Sequence, residues 1–122
     1  MRCGDLADAS QNYIPDRGDL VWLHFDPVVG HEQAGYRPAL VLSPLAYNTV
    51  SGLAVVCPIT SQAKNYPFEV PLPDGLQITG VILTDQIKSV AWLERGMVCK
   101  DSLAFADFEK VIGKIMSLLT KG

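Results

Sequence analysis

A guanidinium, a carboxylate and an amide fall within one short, glycine-containing stretch of the sequence. The stretch runs Gly30-His31-Glu32-Gln33-Ala34-Gly35-Tyr36-Arg37-Pro38. A proline disfavours helical backbone at the residue before it, so Pro38 predicts an extended Arg37 at the junction of a loop and a strand. A guanidinium keeps its charge at any relevant pH and matches the geometry of a phosphate. The stretch therefore predicts a phosphate-binding arginine, with a surface arginine at a strand edge as the alternative.

Two other polar clusters interrupt apolar stretches of the chain. Residues 60–64 read Thr-Ser-Gln-Ala-Lys, and residues 84–88 read Thr-Asp-Gln-Ile-Lys. Hydroxyl and ammonium groups at the end of a strand can hold phosphate oxygens, and amides or carboxylates can read the edges of unpaired bases. Taken by itself, the first cluster is better explained as an ordinary polar turn, and a simple pair between Asp85 and Lys88 explains the second equally well.

Other common chemistries lack their motifs in this sequence. It contains no P-loop, no nucleophile elbow and no dinucleotide-binding glycine pattern. Its three cysteines lie far apart, with no CxxC or HxxxH motif, so we expect neither a bound metal nor another cofactor. His24 and His31 are the only imidazoles, which gives a two-histidine mechanism little support.

Short apolar runs separated by turn residues predict a chain made mainly of β-strands. In the first run, Leu20 and Trp22 alternate with Val21, Leu23 and Phe25, which is typical of a strand with two different faces. Pro58 has no N–H for a ladder, which predicts that its strand lies at an edge or breaks there. A polar connection is predicted around Tyr47 and Asn48. The predicted strands cover residues 19–25, 38–42, 53–59, 68–72, 80–83, 88–92 and 97–99.

The last part of the chain changes to helical spacing. Its apolar stripe comprises Phe108, Val111, Ile112, Ile115, Met116 and Leu119. Asp101 or Ser102 is the predicted N-cap of this amphipathic helix. Many short strands followed by one helix predict a mainly-β fold, a small barrel or a strongly bent sheet with the helix packed on it.

Length and charge limit the remaining choices. The 122 residues fit one domain, which we place at residues 13–122 after a flexible leader, residues 1–12. No apolar run reaches the roughly 20 residues of a membrane span, and the leader does not read as a secretory signal, so the cytoplasm is the expected location. The net charge of −3 argues against a general nucleic-acid binder. Residues 27–122, however, hold eight acidic and eight basic residues, which leaves room for a local basic groove.

Several sequence blocks together resemble those of the MazF/PemK/Kid-type toxins of type II toxin–antitoxin systems. Their order and spacing agree from about Tyr13 to Leu119, nearly the whole chain. The blocks are Tyr13-Ile14-Pro15-Asp16-x-Gly18-Asp19, Gly30-x-Glu32-Gln33-x-Gly35-x-Arg37-Pro38 with Ala39-Leu40-Val41-Leu42-Ser43-Pro44, Pro58-Ile59-Thr60-Ser61-Gln62, Tyr66-Pro67-Phe68-Glu69-Val70, and Asp85-Gln86-Ile87-Lys88-Ser89-Val90-Ala91-Trp92.

The resemblance implies an SH3-like barrel with a C-terminal helix, a homodimer and a cognate antitoxin of the MazE type. It implies a sequence-specific, metal-independent endoribonuclease that cuts single-stranded mRNA and so inhibits translation and growth. Attack by the ribose 2′-OH would leave a 2′,3′-cyclic phosphate and a 5′-OH. Arg37 and Thr60 match the family's catalytic pair, and Glu32 is a candidate base that could instead hold its loop. The implied RNA-binding residues are Gln33, Ser61, Gln62, Lys64, Asp85, Gln86 and Lys88.

Two departures and two alternatives accompany this resemblance. Tyr36 stands where some members have a histidine, so an acid role for that position is not expected, and the leader has no counterpart in compact members.

The same barrel also serves toxins that inhibit DNA gyrase without nuclease activity, and an inactive binding domain is a further alternative. The combination of Glu32, Arg37 and Thr60 favours the nuclease.

Overall fold

The computed structural model describes residues 13–25 and 35–121 of the chain. The predicted leader and two of the candidate site residues, Glu32 and Gln33, lie outside these described residues. Within them the chain forms seven strands and two helices. In order these are β1 (Asp19–Phe25), β2 (Gly35–Val41), α1 (Leu45–Ser51), β3 (Leu53–Thr60), β4 (Glu69–Pro71), β5 (Val81–Leu83), β6 (Lys88–Ala91), β7 (Val98–Ser102) and α2 (Phe105–Thr120).

The strands form an antiparallel sheet in the order β4-β5-β3-β2-β1-β7, with β6 also pairing with β3. The predicted mainly-β fold with a C-terminal helix is therefore confirmed. In the described part of the chain the sheet does not close on itself, because β4 and β7 lie at its two ends. No helix in that part is both long and apolar enough to span a membrane.

The two faces of β1 pack into different cores, as its alternation predicts. Val21, Leu23 and Phe25 belong to one buried apolar cluster. Leu20 belongs to the other, with Trp22 partly buried against it. Side chains that alternate along a strand point to opposite faces of the sheet, so one strand contributes to both cores.

Helix α2 covers the second of these cores. Phe108, Val111 and Ile115 are buried there, which confirms the helical stripe for most of its length. Met116 and Leu119, at the end of the predicted stripe, are instead 51% and 70% exposed. The apolar face of the helix therefore extends past the part that the core covers.

Pro58 lies inside the sheet and not at its edge, so that part of the prediction was wrong. It pairs with Ala39 of β2. On the other side of β3, the partner is β6 as far as Val56 and β5 from Ile59 onwards. The missing N–H of Pro58 thus falls where the partner strand changes, and the ladder loses no hydrogen bond there.

Helix α1 forms where a polar connection was predicted. Its Asn48 is fully buried. The Asn48 Nδ2 donates to the carbonyl oxygens of Pro15 and Ser43, at 2.8 and 3.0 Å, and its Oδ1 accepts a 2.6 Å hydrogen bond from the Ser43 hydroxyl. These contacts, and Gly52 in a left-handed conformation at the C-cap, fix a helix that the apolar pattern does not predict.

The predicted N-cap of α2 was also wrong. Asp101 and Ser102 belong to β7, and the helix begins at Phe105 after Ala104, without a side-chain cap. The carboxylate of Asp101 accepts hydrogen bonds from the backbone N–H groups of Gln77 and Ser102 instead, so it holds a loop against the strand.

Candidate active site

Arg37 is the third residue of β2 and its side chain is exposed. It pairs across the sheet with Leu23 of β1. The extended conformation predicted from Pro38 is confirmed. The strand starts at Gly35, however, so Arg37 lies within a paired strand and not at its junction with a loop.

Thr60 is the last residue of β3, and it is 92% buried, with 8% of its surface exposed. Its Oγ1 accepts a 3.2 Å hydrogen bond from the backbone N–H of Gln62. Because a hydroxyl that accepts can still donate, the Thr60 proton can be offered to a bound oxygen.

Gly80 lets the chain approach Thr60 closely. A Cβ at Gly80 would lie 2.3 Å from the carbonyl oxygen of Thr60, and the glycine has a φ of +125°. Both features require glycine. Other residues rarely adopt this φ, and their Cβ would overlap the carbonyl oxygen of Thr60. Gly80, the residue directly before strand β5, therefore supports the backbone of Thr60.

Arg37 and Thr60 lie at the same end of adjacent strands. The β2–β3 ladder pairs Ala39 with Pro58 and Val41 with Val56. The same register, continued past the end of the ladder, sets Arg37 opposite Thr60. Directly opposed residues of antiparallel strands have their side chains on the same face of the sheet. Arg37 and Thr60 therefore point to one side of the sheet.

A cleft of about 360 Å³ opens beside Thr60. This volume lies within the range of small-ligand sites, about 300–1,000 Å³. Five of the predicted site residues contribute to it, together with three others. The lining consists of Thr60, Gln62, Lys64, Asp85 and Gln86, and of Tyr66, Glu69 and Leu83.

The remaining predicted residues lie outside that lining. Ser61 is exposed directly after Thr60, and Lys88 is half-buried in β6 opposite Val56. Arg37 on β2 is not part of the lining either, although the strand register sets it opposite Thr60. Residues of the clusters at 60–64 and 84–88, which are distant in sequence, thus line one cleft, although Ser61 and Lys88 do not contribute to it.

Three features of the site were missed by the residue-based analysis: Tyr66, Glu69 and Gly80. Tyr66 and Glu69 fall in a sequence block that supports the family resemblance, but nothing in that block assigns them to the cleft. The Glu69 carboxylate accepts hydrogen bonds from the backbone N–H groups of Lys64 and Asn65, at 3.0 to 3.1 Å. Asn65 has a φ of 59°, so the segment turns sharply at that point.

The charges in the cleft are mixed. Lys64 supplies one positive charge, while Glu69 and Asp85 supply two negative charges. Gln86 adds a neutral amide whose Oε1 is buried and has no hydrogen-bond partner among the described residues. Such a lining suits the edge of a base, which presents donors and acceptors, better than it suits a phosphate.

The thiol of Cys57 lies buried in strand β3 and is not activated as a nucleophile. Burial raises the pKa of the Cys57 thiol to about 12, with a further contribution from the negative charge of Asp85. The thiol is therefore neutral at physiological pH, and a neutral thiol is a poor nucleophile. In the residues described, no three His, Cys, Asp or Glu side chains are arranged to hold a metal ion.

The aromatic residues near Arg37 lie on the opposite face of the sheet. Tyr36 packs against Trp22 with ring centroids 5.3 Å apart, and against His24 at 4.7 Å. Because Tyr36 and Arg37 are consecutive in a strand, their side chains point to opposite faces. His24 and Tyr36 consequently do not face Thr60, and His31 lies outside the described residues.

The fold and the cleft together describe a small β-domain with a polar cleft beside Thr60. Comparison with known proteins assigns its family. The chain belongs to the PemK-like, MazF-like toxins of type II toxin–antitoxin systems, whose sequence profile matches residues 16–119.

Individual relatives agree with this assignment. The endoribonuclease toxin MazF of Escherichia coli (strain K12) is 49% identical over 107 residues, which cover 88% of this chain and 96% of the relative. The crystal structure of MazF (Form-I) from Deinococcus radiodurans matches with a TM-score of 0.85 and 52% identity, covering 88% of this chain and 98% of that chain. The MazE–MazF structure (Form-III) from the same organism matches with a TM-score of 0.80 and 48% identity, covering 90% and 100%.

Proposed function

We propose that this protein is a sequence-specific endoribonuclease toxin that cleaves single-stranded mRNA without a metal ion, and so inhibits translation and growth. Membership of the toxin family and the similarity to a relative named as an endoribonuclease toxin support this proposal. We further propose that it works in the cytoplasm and is neutralised by a cognate antitoxin of the MazE type. The similarity to MazF in MazE–MazF structures supports the antitoxin.

The observation that carries the proposal is the position of Arg37 and Thr60. They come from strands that are neighbours in the sheet, and the register of those strands directs both side chains to one face at one end. A guanidinium and a hydroxyl arranged in this way can contact different oxygens of a single phosphate group. The cleft beside Thr60 then lies where the adjoining nucleotide would be.

The proposed reaction uses the RNA's own nucleophile. The ribose 2′-oxygen forms a bond to the neighbouring phosphorus as the bond from phosphorus to the 5′-oxygen breaks, which gives a 2′,3′-cyclic phosphate and a 5′-OH. The attack is intramolecular, so it benefits from a high effective concentration. The protein needs to stabilise charge on the phosphorane oxygens, accept the 2′-OH proton and deliver a proton to the 5′-oxygen.

Arg37 and Thr60 divide these tasks. The Arg37 guanidinium stabilises the phosphorane charge and assists proton delivery to the leaving oxygen. The Thr60 hydroxyl donates a hydrogen bond to a non-bridging oxygen, as oxyanion-stabilising donors do in other enzymes. Glu32, outside the described residues, is the proposed base for the 2′-OH.

The RNA is bound by groups of two kinds. Lys64 and Lys88 meet the backbone, and Ser61 assists at the phosphate held by Thr60. Amide and carboxylate groups form hydrogen bonds with the edges of the bases, and those that line the cleft contact the base bound there. The residues that supply these groups are Gln33, Gln62, Asp85 and Gln86.

The assembly of the protein is part of the same proposal. The functional unit is a homodimer of the domain formed by residues 13–122, preceded by a leader, residues 1–12, that has no assigned role. The relatives are named endoribonucleases, which does not favour the gyrase-inhibiting alternative.

Incubation of the purified protein with a long single-stranded RNA in the presence of EDTA tests the proposal. We expect defined fragments whose 5′ ends carry hydroxyl groups and can be phosphorylated without prior dephosphorylation. Intact RNA at high protein concentration, or fragments with 5′-phosphate ends, would overturn it. Sequencing of the 5′ ends gives the cleavage sequence.

Matched variants connect the activity to the proposed residues. Arg37→Ala and Thr60→Ala should each lose most of the cleavage, because each removes one contact to the charge that develops on the phosphate. Arg17→Ala and Thr49→Ala are the controls. Both residues are exposed and lie outside the cleft, so we expect these variants to fold and to cleave normally. Cleavage by an Arg37 or Thr60 variant at the rate of its control would show that the residue is not catalytic.

A further inference from the structure

We propose that Tyr66 is the surface on which one unpaired base of the RNA stacks when its neighbouring phosphate lies at Arg37 and Thr60. This inference rests on the proposed function and adds a binding residue to it. Tyr66 lines the cleft, and 60% of its surface is exposed. An exposed aromatic ring among polar groups is how proteins hold the faces of single-stranded bases.

The backbone beneath Tyr66 is held in place before any ligand binds. The carbonyl oxygen of Tyr66 accepts a 3.1 Å hydrogen bond from the backbone N–H of Glu69. The Glu69 carboxylate in turn accepts hydrogen bonds from the backbone N–H groups of Lys64 and Asn65. Pro67 further restricts the backbone of Tyr66 to extended conformations. The ring is thus carried by the backbone of a closed loop, so little backbone entropy remains to be lost when a base stacks on it.

The charges of the cleft indicate a base and not a phosphate as its occupant. The carboxylates of Glu69 and Asp85 would repel a phosphate, and one ammonium group, that of Lys64, does not outweigh them. A base is neutral, and its edge can donate hydrogen bonds to Asp85 and to the amide of Gln86. The phosphate is left to Arg37 and Thr60 at the edge of the cleft.

Equilibrium binding to an RNA that cannot be cleaved tests this role. The probe is an oligonucleotide containing the mapped cleavage sequence, with a 2′-O-methyl group at the attacking ribose. Tyr66→Ala should raise its Kd by about 5-fold to 150-fold, the range expected for the loss of one base–aromatic stack. Tyr66→Phe keeps the ring and should stay within about threefold of the unaltered protein.

Tyr47→Ala is the matched control. Tyr47 is a tyrosine of similar exposure, 44%, on helix α1 and outside the cleft. Its removal should leave the Kd unchanged. Circular dichroism checks that the variants are folded, which we expect because Tyr66 is largely exposed.

Abasic substitution then identifies the stacked base. Removing that one base should weaken binding to the unaltered protein, and should have little further effect on binding to Tyr66→Ala. The proposal is overturned if Tyr66→Ala binds as tightly as Tyr47→Ala, if Tyr66→Phe is as weak as Tyr66→Ala, or if every abasic position weakens both proteins equally. These outcomes are distinct from failure of the proposed function, in which the unaltered protein leaves cleavable RNA intact.

Discussion

Replacement of Gly80 by alanine tests whether the close approach of Gly80 positions Thr60 for cleavage. The loss of cleavage rate must be distinguished from the loss of stability that any strained backbone causes. The new Cβ would lie 2.3 Å from the Thr60 carbonyl oxygen, and the residue would have to keep a φ of +125°. Relief of the overlap requires the end of β3 to move by about 1 Å, and a displacement of that size at a catalytic group can lower a rate by about 100-fold. The unfavourable φ adds about 1–3 kcal/mol of destabilisation.

Gly75→Ala provides the matched control for this prediction. Gly75 also has a positive φ, +92°, but a Cβ there would meet nothing within 4 Å. Both variants should therefore lose stability through strain, and only Gly80→Ala should lose most of its cleavage rate. Thermal unfolding measures the first effect, and RNA cleavage at a temperature where both variants are folded measures the second. Cleavage by Gly80→Ala within about threefold of Gly75→Ala would refute the idea that this close approach positions Thr60.

Two further predictions concern buried groups. Asn48→Ala should lower the free energy of unfolding by about 3 kcal/mol or more, because it removes the donor to the carbonyl oxygens of Pro15 and Ser43 and the acceptor of the Ser43 hydroxyl proton. Urea denaturation measures this loss, with Thr49→Ala on the exposed side of α1 as the control. If Asn48→Ala lost no more stability than the control, the buried amide would not be important for the fold. The second prediction follows from the pKa of Cys57, which is raised from 9.0 to about 12 by burial and, secondarily, by Asp85. The folded state therefore keeps the thiol proton at a pH where the unfolded state has lost it, so stability falls as pH rises through this window. Relative to Cys57→Ala, the unaltered protein should lose about 2 kcal/mol more between about pH 8 and pH 10.5 in urea denaturation. Identical pH profiles for the two proteins would contradict the raised pKa.

The strands could be predicted from the sequence because each is a short apolar run between turn residues. Leu20 and Val21 start an alternation that identifies both faces of β1, and the two cores follow it. Helix α1 could not be predicted in this way. It depends on the buried amide of Asn48 and its partners Pro15 and Ser43, which no periodic pattern encodes. Pro58 does not place its strand at an edge of the sheet, because a proline is compatible with a central strand where the partner strand changes.

The candidate site was only partly predictable. Polar groups at the end of an apolar run identified residues 60–64, and the resemblance to a toxin family connected Thr60 with Arg37. The cleft itself results from contacts between distant segments, such as Gly80 against Thr60. The exposure of Tyr66 likewise depends on the loop that Glu69 closes. Neither contact has a signature in the spacing of residues along the chain.

The most direct measurement of the central claim is a double-mutant cycle on Arg37 and Thr60. Rate constants for single-turnover cleavage would be measured for the unaltered protein, Arg37→Ala, Thr60→Val and the double variant, on an RNA containing the mapped cleavage sequence. If both groups act on one phosphodiester, their effects are not additive, and the double variant should be little slower than the slower single variant. If the two losses simply multiply, the two groups are not energetically coupled, which contradicts the joint action on one phosphate that we propose.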